Sequence, residues 1–265
     1  MPHVSNASPA RWQLPPGVTR GLWDYARAGH IADDYDEFFA YNRLFDFDEA
    51  VLARHLSAPG LVADLGCGTG RALVPLVRRG FRGLAVDLSL PMLRVVAEKC
   101  REEGLAVDCL RANLVDLDAV QDASVDGALC LFSTLGMIRG SAHRRRAMAH
   151  MRRILKPGGV LVLHVHNLWF NLTDTAGRWW LAGHLLRVAL RRDLEAGDRF
   201  FPYRGIANMY LHTFRMGELT RLVRGAGFRI LETIPLARRR DQPLRRPWLA
   251  GRFRANGWIV VCAAE

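Results

Sequence analysis

From residue 61 to residue 165, short apolar runs alternate with stretches whose apolar positions return every third or fourth residue. The runs at 61–64, 83–87, Val107–Arg111, 125–132 and 160–165 predict strands. Between them, 71–79, 91–103 and 142–155 carry helical spacing. Such alternation predicts a parallel sheet with helices on both faces, an α/β fold. The unbroken runs Ala128-Leu129-Cys130-Leu131-Phe132 and Val160-Leu161-Val162-Leu163 suit strands buried on both sides. Residues before about Arg20 look like a loose arm. Segment 21–56 is rich in aromatics and acids (Trp23, Tyr25, Tyr35, Asp36, Phe38, Phe39, Tyr41, Phe45, Phe47) and predicts two or three helices. The last spans 48–56, with Val51, Leu52 and Leu56 inward. After Leu168 the pattern breaks until about Asn208. A helix at Met216–Gly225, a strand at 229–235, a basic loop at 237–256 and a strand at 258–263 follow. The expected organisation is an arm and helical cap at 1–56, a core at 57–167, a lid or substrate insertion at 168–209, and the rest of the core at 210–265.

The first strand ends in Asp64-Leu65-Gly66-Cys67-Gly68-Thr69-Gly70 and passes into a helix. Strand, glycine turn and helix open a nucleotide-binding βα unit, in which glycine allows positive φ and close approach of a ligand. The alternating glycines differ from the dinucleotide fingerprint, whose last glycine lies three residues after the second. The next strand ends in Asp87. A carboxylate accepts two hydrogen bonds at once and suits the vicinal diol of a ribose. A helix N-cap is the competing role for Asp87, although Ser89, just before Pro91, already serves that end.

These residues resemble the class I S-adenosylmethionine-dependent methyltransferases, in particular the small-molecule branch that includes quinone-ring methyltransferases. The motif at 64–70 is similar to the family's first motif, Asp87 to its ribose acid, and Ser89-Leu90-Pro91-Met92-Leu93 to the helix start that follows. Arg111-Ala112-Asn113-Leu114 stands where an Ala/Asp-type pair meets adenine, with Asn113 in place of the commoner aspartate. Leu155-Lys156-Pro157-Gly158-Gly159 resembles the turn before the fifth strand. The resemblance implies a Rossmann-like, doubly wound seven-stranded sheet, mostly parallel with an antiparallel last strand, under a helical N-terminal cap. It also implies S-adenosyl-L-methionine as cofactor, held by Asp64, Gly66, Cys67, Gly68, Gly70, Asp87, Leu88, Met92, Asn113, Leu114 and Phe132.

Composition narrows the setting. At 265 residues, the chain buries a core as one embellished domain. No apolar stretch is long enough to span a bilayer and the start lacks a secretory core, so a cytoplasmic protein is expected. Five scattered cysteines form no CxxC pair, and no metal site is expected. The net charge of +11 would suit nucleic acid or an anionic membrane. Lysine, however, occurs only at Lys99 and Lys156, which points to arginine-preferring codons more than to a binding design.

In a methyltransferase, protein groups mainly align donor and acceptor and exclude water. A base is needed only when the acceptor arrives protonated. His166, at the end of the fifth strand, is the candidate base or substrate contact, with a structural role open beside it. His164, on the same strand face, is expected to be a core histidine bonded to backbone. Tyr35, in the Tyr35-Asp36 pair, resembles the family tyrosine that closes over the cofactor, with helix packing as the alternative. Phe132-Ser133-Thr134 lies where cofactor and acceptor should meet. Tyr203, Tyr210 and His212 could reach the site from the cap. The stretch 178–192 mixes tryptophans and leucines with arginines. A lid helix over an apolar pocket is expected there, with an interfacial membrane element as the alternative. Arg144-Arg145-Arg146 is expected to be a solvated face. The expected partner is a small, apolar or aromatic acceptor; nucleic acid is not expected, and peripheral membrane contact is left open. An RNA methyltransferase and a non-catalytic cofactor-binding protein are the competing functions.

Overall fold

A computed structural model describes residues 10–39 and 44–265. Nine residues of the expected arm, Tyr41, and the side chains of Phe39 and Phe45 lie outside the described residues. The strands are β1 (Leu61–Leu65), β2 (Arg82–Asp87), β3 (Val107–Arg111), β4 (Val125–Cys130), β5 (Leu155–His166), β6 (Asp198–Tyr203), β7 (Ile206–His212), β8 (Phe228–Pro235) and β9 (Gly257–Ala264). The helices are α1 (Arg20–Arg27), α2 (Gly29–Asp33), α3 (Tyr35–Phe39), α4 (Leu44–His55), α5 (Leu73–Arg78), α6 (Leu90–Glu102), α7 (Thr134–Met137), α8 (Ser141–Ile154), α9 (Thr175–Leu190), α10 (Met216–Gly225) and α11 (Gly251–Arg254).

Seven strands form one sheet in the order β3-β2-β1-β4-β5-β9-β8, and β9 runs antiparallel to both neighbours. This is the Rossmann-like α/β sheet with an antiparallel last strand. The two-residue side-chain period divides its interior strands cleanly. Ala63, Ala128, Leu161 and Val260 face one side with α8 and α10, whereas Val62, Leu129, Val162 and Val261 face the other with α4, α5 and α6. Truncating any large one of these to alanine costs about 2–5 kcal/mol.

Several boundaries differ from the sequence expectation for physical reasons. β4 stops at Cys130 because Phe132 and Ser133 turn left-handed, at φ 52 and 62. α5 starts at Leu73 because the turn through Gly70, at φ 78, is not helical. β5 starts at Leu155, running through the Lys-Pro-Gly-Gly segment with a register shift opposite Val125 and Gly127. Residues 16–19 are not loose: Arg139 N donates to Gly17 O at 2.8 Å, Asn113 Nδ2 to Pro16 O at 2.9 Å, and Thr19 caps α1.

The segment expected as a lid is ordered differently. α9 buries Leu181 and His184 and leaves Trp179, Leu186 and Leu190 in solvent. β6 and β7 form a separate antiparallel hairpin that continues past residue 209, and α1 lies directly on β7. A Cβ added at Gly21 would stand 2.1 Å from Asn208 O, so only glycine lets helix and hairpin meet. The hairpin therefore props the N-terminal helices.

Candidate active site

The glycine turn sits at the carboxyl ends of β1 and β2. Gly66, Gly68 and Gly70 have φ of 90, 52 and 78. Gly66 N and Cys67 N donate to Val86 O at 2.7 and 3.1 Å, which fastens the turn to the end of β2. Asp87 secures it from the other side: its Oδ2 accepts from Gly68 N at 2.9 Å and its Oδ1 from Ser89 N at 2.8 Å. Ser89 is the N-cap of α6, accepting from Met92 N, so the capping role falls to it rather than to Asp87. Burial raises the Asp87 pKa, and the bonds from Ser89 and Gly68 oppose the rise.

Two adjoining clefts open at this turn. The larger spans about 800 Å³ with its open mouth included and is lined by Gly66, Gly68, Asp87, Leu88, Met92, Asn113, Leu114, Phe132 and Tyr35 of the expected residues. It also takes in Thr134, which the sequence placed where cofactor and acceptor should meet, and residues without a sequence signal: Gly17 and Val18 of the strap at residues 16–19, Leu22, Tyr25 and Ala26 of α1, and Met137 and Ile138 around α7. Both polar ends of the Asn113 side chain are engaged within the protein. Its amide donates to Pro16 O and its carbonyl accepts from Val115 N at 3.1 Å, so it anchors the strap. Gly70 lines neither cleft and packs on Val74 and Val96.

The smaller cleft, about 420 Å³, is lined by Asp64, Cys67, Gly66, Gly68, Tyr35 and Phe132, together with Asp48 of α4, Arg71, Ala72 and Leu131. Asp48 is 3% exposed and neither carboxylate oxygen has a hydrogen-bond partner. Burial raises its pKa to about 7, with Arg240 opposing the rise. Asp64 also rises to about 7, through burial and then through the charge of Asp87. Two acids thus face one small space at the turn.

α3 closes over both clefts. Asp36 Oδ1 accepts from Thr69 Oγ1 at 2.6 Å, and Asp36 Oδ2 forms an ion pair with Lys99, which also donates to Thr69 O at 3.0 Å. This holds Tyr35 above the turn, with its Cε1 3.9 Å from a Cβ placed on Gly68. Burial raises the Tyr35 pKa, and so do Tyr203 and Asp87, which keeps the phenol protonated.

His166 lies outside the lining of both clefts. Its Nε2 is 3.3 Å from the Arg240 guanidinium, which can only donate, so this nitrogen accepts. Burial and Arg240 lower its pKa to about 3. His164 is fully buried as expected, but neither ring nitrogen has a hydrogen-bond partner. Its ring instead packs edge-on to Phe132 and His166. Tyr203 packs against Tyr25, with ring centres 6.1 Å apart.

Tyr210 and His212 point elsewhere. His212 bridges Asp198 Oδ1 at 2.9 Å and Glu218 Oε1 at 2.8 Å, and Tyr210 donates to Asp198 Oδ1 at 2.7 Å. Arg144 is 1% exposed rather than solvated, because it supplies the countercharge, pairing with Glu195 and, at 3.9 Å, with Glu218. Glu195, Asp198 and His212 bring ligand-type atoms within 4.8 Å of one another. Of that group, Glu195 pairs with Arg144 and Asp198 with His212.

Residues 62–159 match the family described as a methyltransferase domain. A ubiquinone biosynthesis O-methyltransferase of Xanthomonas axonopodis pv. citri is 34% identical over 119 residues, covering 45% of this chain and 48% of that protein. The chain spans about half the length of the curated relatives it matches, between 38% and 59% for the first four. A crystal structure of a SAM-dependent methyltransferase from Methanosarcina mazei aligns with TM-score 0.65 and 19% identity over 81% of this chain and 96% of its own. The 1,6-didemethyltoxoflavin-N1-methyltransferase of Burkholderia thailandensis aligns with TM-score 0.60 and 19% identity over 91% and 86%. Residues 62–159 thus match a methyltransferase domain, and the seven-stranded sheet around them gives the fold that the chain shares with these methyltransferase structures.

Proposed function

We propose that this chain binds S-adenosylmethionine at the glycine turn and transfers its methyl group to a small, apolar or aromatic acceptor. The observation that carries the reading is the larger cleft, in which an open glycine turn and Asp87 face an apolar wall of Val18, Leu22, Met92, Leu114 and Ile138. The residues fit the cofactor. Gly68 leaves its approach free, and Gly66 has no room for a side chain beside Thr134. The Asp87 carboxylate has lone pairs beyond its two backbone bonds for ribose hydroxyls. Leu88, Met92 and Leu114 offer apolar surface to a purine. Asp64 and Asp48, which line the smaller cleft beside Phe132, offer carboxylates to an ammonium.

When bound, S-adenosylmethionine supplies a methyl carbon activated by a sulfonium charge. The chain's own part is alignment and exclusion of water. The strap at residues 16–19 and Tyr35 cover the clefts, and the left-handed Phe132-Ser133 pair sets the wall where the acceptor would enter. His166 is assigned no proton transfer, since its Nε2 is engaged by Arg240 and its pKa lies far below neutrality. It acts as a positioning residue for Arg240. Tyr35 remains protonated and closes over the cofactor rather than serving as a base.

Calorimetry with S-adenosylhomocysteine tests the binding half of the proposal. Binding by the wild type, lost in Gly66→Arg and weakened in Asp87→Ala, is expected; no binding, or variants equal to wild type, rejects it. Methyl transfer is tested with labelled cofactor over a panel of phenols, quinols and amines. An RNA methyltransferase is the second reading, favoured by arginines such as Arg178 and Arg187, whose hydrogen bonds go to neutral oxygens. Steep salt-dependent RNA binding would support it. Cofactor binding without product from any acceptor would indicate a non-catalytic protein.

A further inference from the structure

The 16-residue helix α9 exposes an apolar stripe along its outer side. Trp179, Leu186 and Leu190 repeat at helical spacing, and Trp179 and Leu190 are each 77% exposed. Ala182 and Gly183 fill the interval and are exposed as well. Just before the helix, Leu172 is also exposed. Isolated exposed apolar residues are ordinary, but a contiguous row on one helix face marks a surface that meets something. None of these residues lines the clefts at the glycine turn, so the stripe is not the inside of a lid.

The charge around the stripe says what it meets. Arg178 and Arg187 flank it, and their hydrogen bonds go to Thr175 Oγ1 and Gly183 O within the helix itself. The 3₁₀ turn at Leu168–Thr173 packs against both α9 and α11. Just before α11, Trp248 is 81% exposed and is followed by exposed Leu249. Arg245, Arg246, Arg252 and Arg254 surround that pair in the sequence. Arg254 bonds the carbonyls of Arg245, Arg246 and Leu249, and Arg252 stacks on Phe253. None of these arginines forms an ion pair among the described residues. A second copy of this chain would bring the same uncompensated arginines against themselves, on a protein of net charge +11. An anionic bilayer surface instead satisfies both features, with apolar side chains entering the headgroup boundary and arginines meeting lipid phosphates. At 1.5 Å per residue the helix is about 24 Å long and would lie flat in that surface. No helix among the described residues is long and apolar enough to cross a membrane.

We propose that α9, with the adjoining Trp248-Leu249 loop, docks this protein on anionic lipid surfaces. The test is flotation with vesicles of phosphatidylcholine alone and of phosphatidylcholine mixed with phosphatidylglycerol, at low and physiological salt. The wild type is expected to float with the mixed vesicles only. Replacing Trp179, Leu186 and Leu190 together by serine should weaken this at least tenfold. Arg178→Gln and Arg187→Gln should each weaken it roughly fivefold. Unchanged S-adenosylhomocysteine binding and circular dichroism show that each variant is folded, independently of the lipid result. Failure to float with anionic vesicles overturns the proposal. So does flotation that the triple variant leaves unaltered, which would reduce it to diffuse charge attraction. A dimer in sedimentation velocity that the triple variant abolishes would reassign the stripe to a second copy.

Discussion

Gly66 and Gly68 stand two residues apart in one turn and tolerate substitution differently. A Cβ at Gly66 would lie 2.3 Å from Thr134 Cγ2, and φ there is 90. At Gly68, φ is 52 and the nearest atom is 3.9 Å away. Gly66→Ala is therefore expected to lower the unfolding temperature sharply and to weaken S-adenosylhomocysteine binding at least a hundredfold. Gly68→Ala should cost about 1–2 kcal/mol of stability, the ordinary penalty of the left-handed region. Thermal denaturation and calorimetry on the pair decide this; equal damage at both sites contradicts it. Asp48 gives a prediction with a definite sign. Its pKa rises from 3.8 to about 7 on folding, chiefly through burial. The folded protein binds that proton more tightly, so the associated stability is present below 3.8, declines as pH rises and is gone above about 7. Asp48→Asn removes this decline. Its gain in unfolding temperature over wild type, without ligand, should grow between those two values and then stay level.

At the scale of elements, what matters is how the helical cap is fixed over the sheet. Asp36 ties α3 to Thr69 in the turn and to Lys99 on α6. Hydrogen bonds involving a charged partner contribute about 1.5–3 kcal/mol each when shielded and less when half-exposed, as here. Asp36→Asn should weaken S-adenosylhomocysteine binding about three- to tenfold and speed proteolysis within residues 10–39, with little change in overall unfolding temperature. Unchanged affinity and proteolysis would show that the cap is held by other contacts. The opposite edge of the cap is held by Arg204, which pairs with Asp34, donates to Ile31 O and stacks on Phe38 at 4.5 Å. Arg204 and Gly205, at φ 47 and 82, form the two-residue turn between β6 and β7. That hairpin was not legible from apolar patterning, since 198–203 is neither alternating nor continuous and Pro202 interrupts it. The Arg204-Gly205 pair was its available signal, because a two-residue hairpin turn with positive φ at both positions favours glycine there.

At the scale of the whole molecule, the buried ion network beneath the hairpin joins α8, β6, β7 and α10. Burial alone would lower the His212 pKa, but bonds to Asp198 and Glu218 prevail and raise it above 6.5. Both carboxylates are lowered against burial, chiefly by the bond from His212. Arg144, Glu195 and Tyr210 complete the surroundings, and His184, whose pKa burial and Arg187 lower, stands nearby with its Nε2 accepting from Gly197 N. The imidazolium contribution is present below 6.5 and lost as pH rises through the raised value. The carboxylate contributions are present above 4.5 and lost as pH falls through the lowered values. Unfolding temperature should therefore fall more steeply above pH 6.5 in wild type than in His212→Gln, a comparison scanning calorimetry makes directly. Parallel curves would show that His212 is neutral when folded.

The sequence by itself determined the sheet, the glycine turn and the place of Asp87 at a strand end, because each depends on local chemistry. A strand end, a positive φ or a capping serine is specified within a few residues and leaves its pattern in the chain. Tertiary structure alone decided the rest. Asp48 lies on a helix whose pattern allows it to be solvated, and packing over the turn buried it. Arg144 belongs to a run of three arginines, and only the approach of Glu195, fifty-one residues later, drew it inside. His166 ends the expected strand, but Arg240 from a distant loop took its nitrogen. Burial and partners are fixed by segments far apart in sequence, and no local spacing encodes which of them will meet.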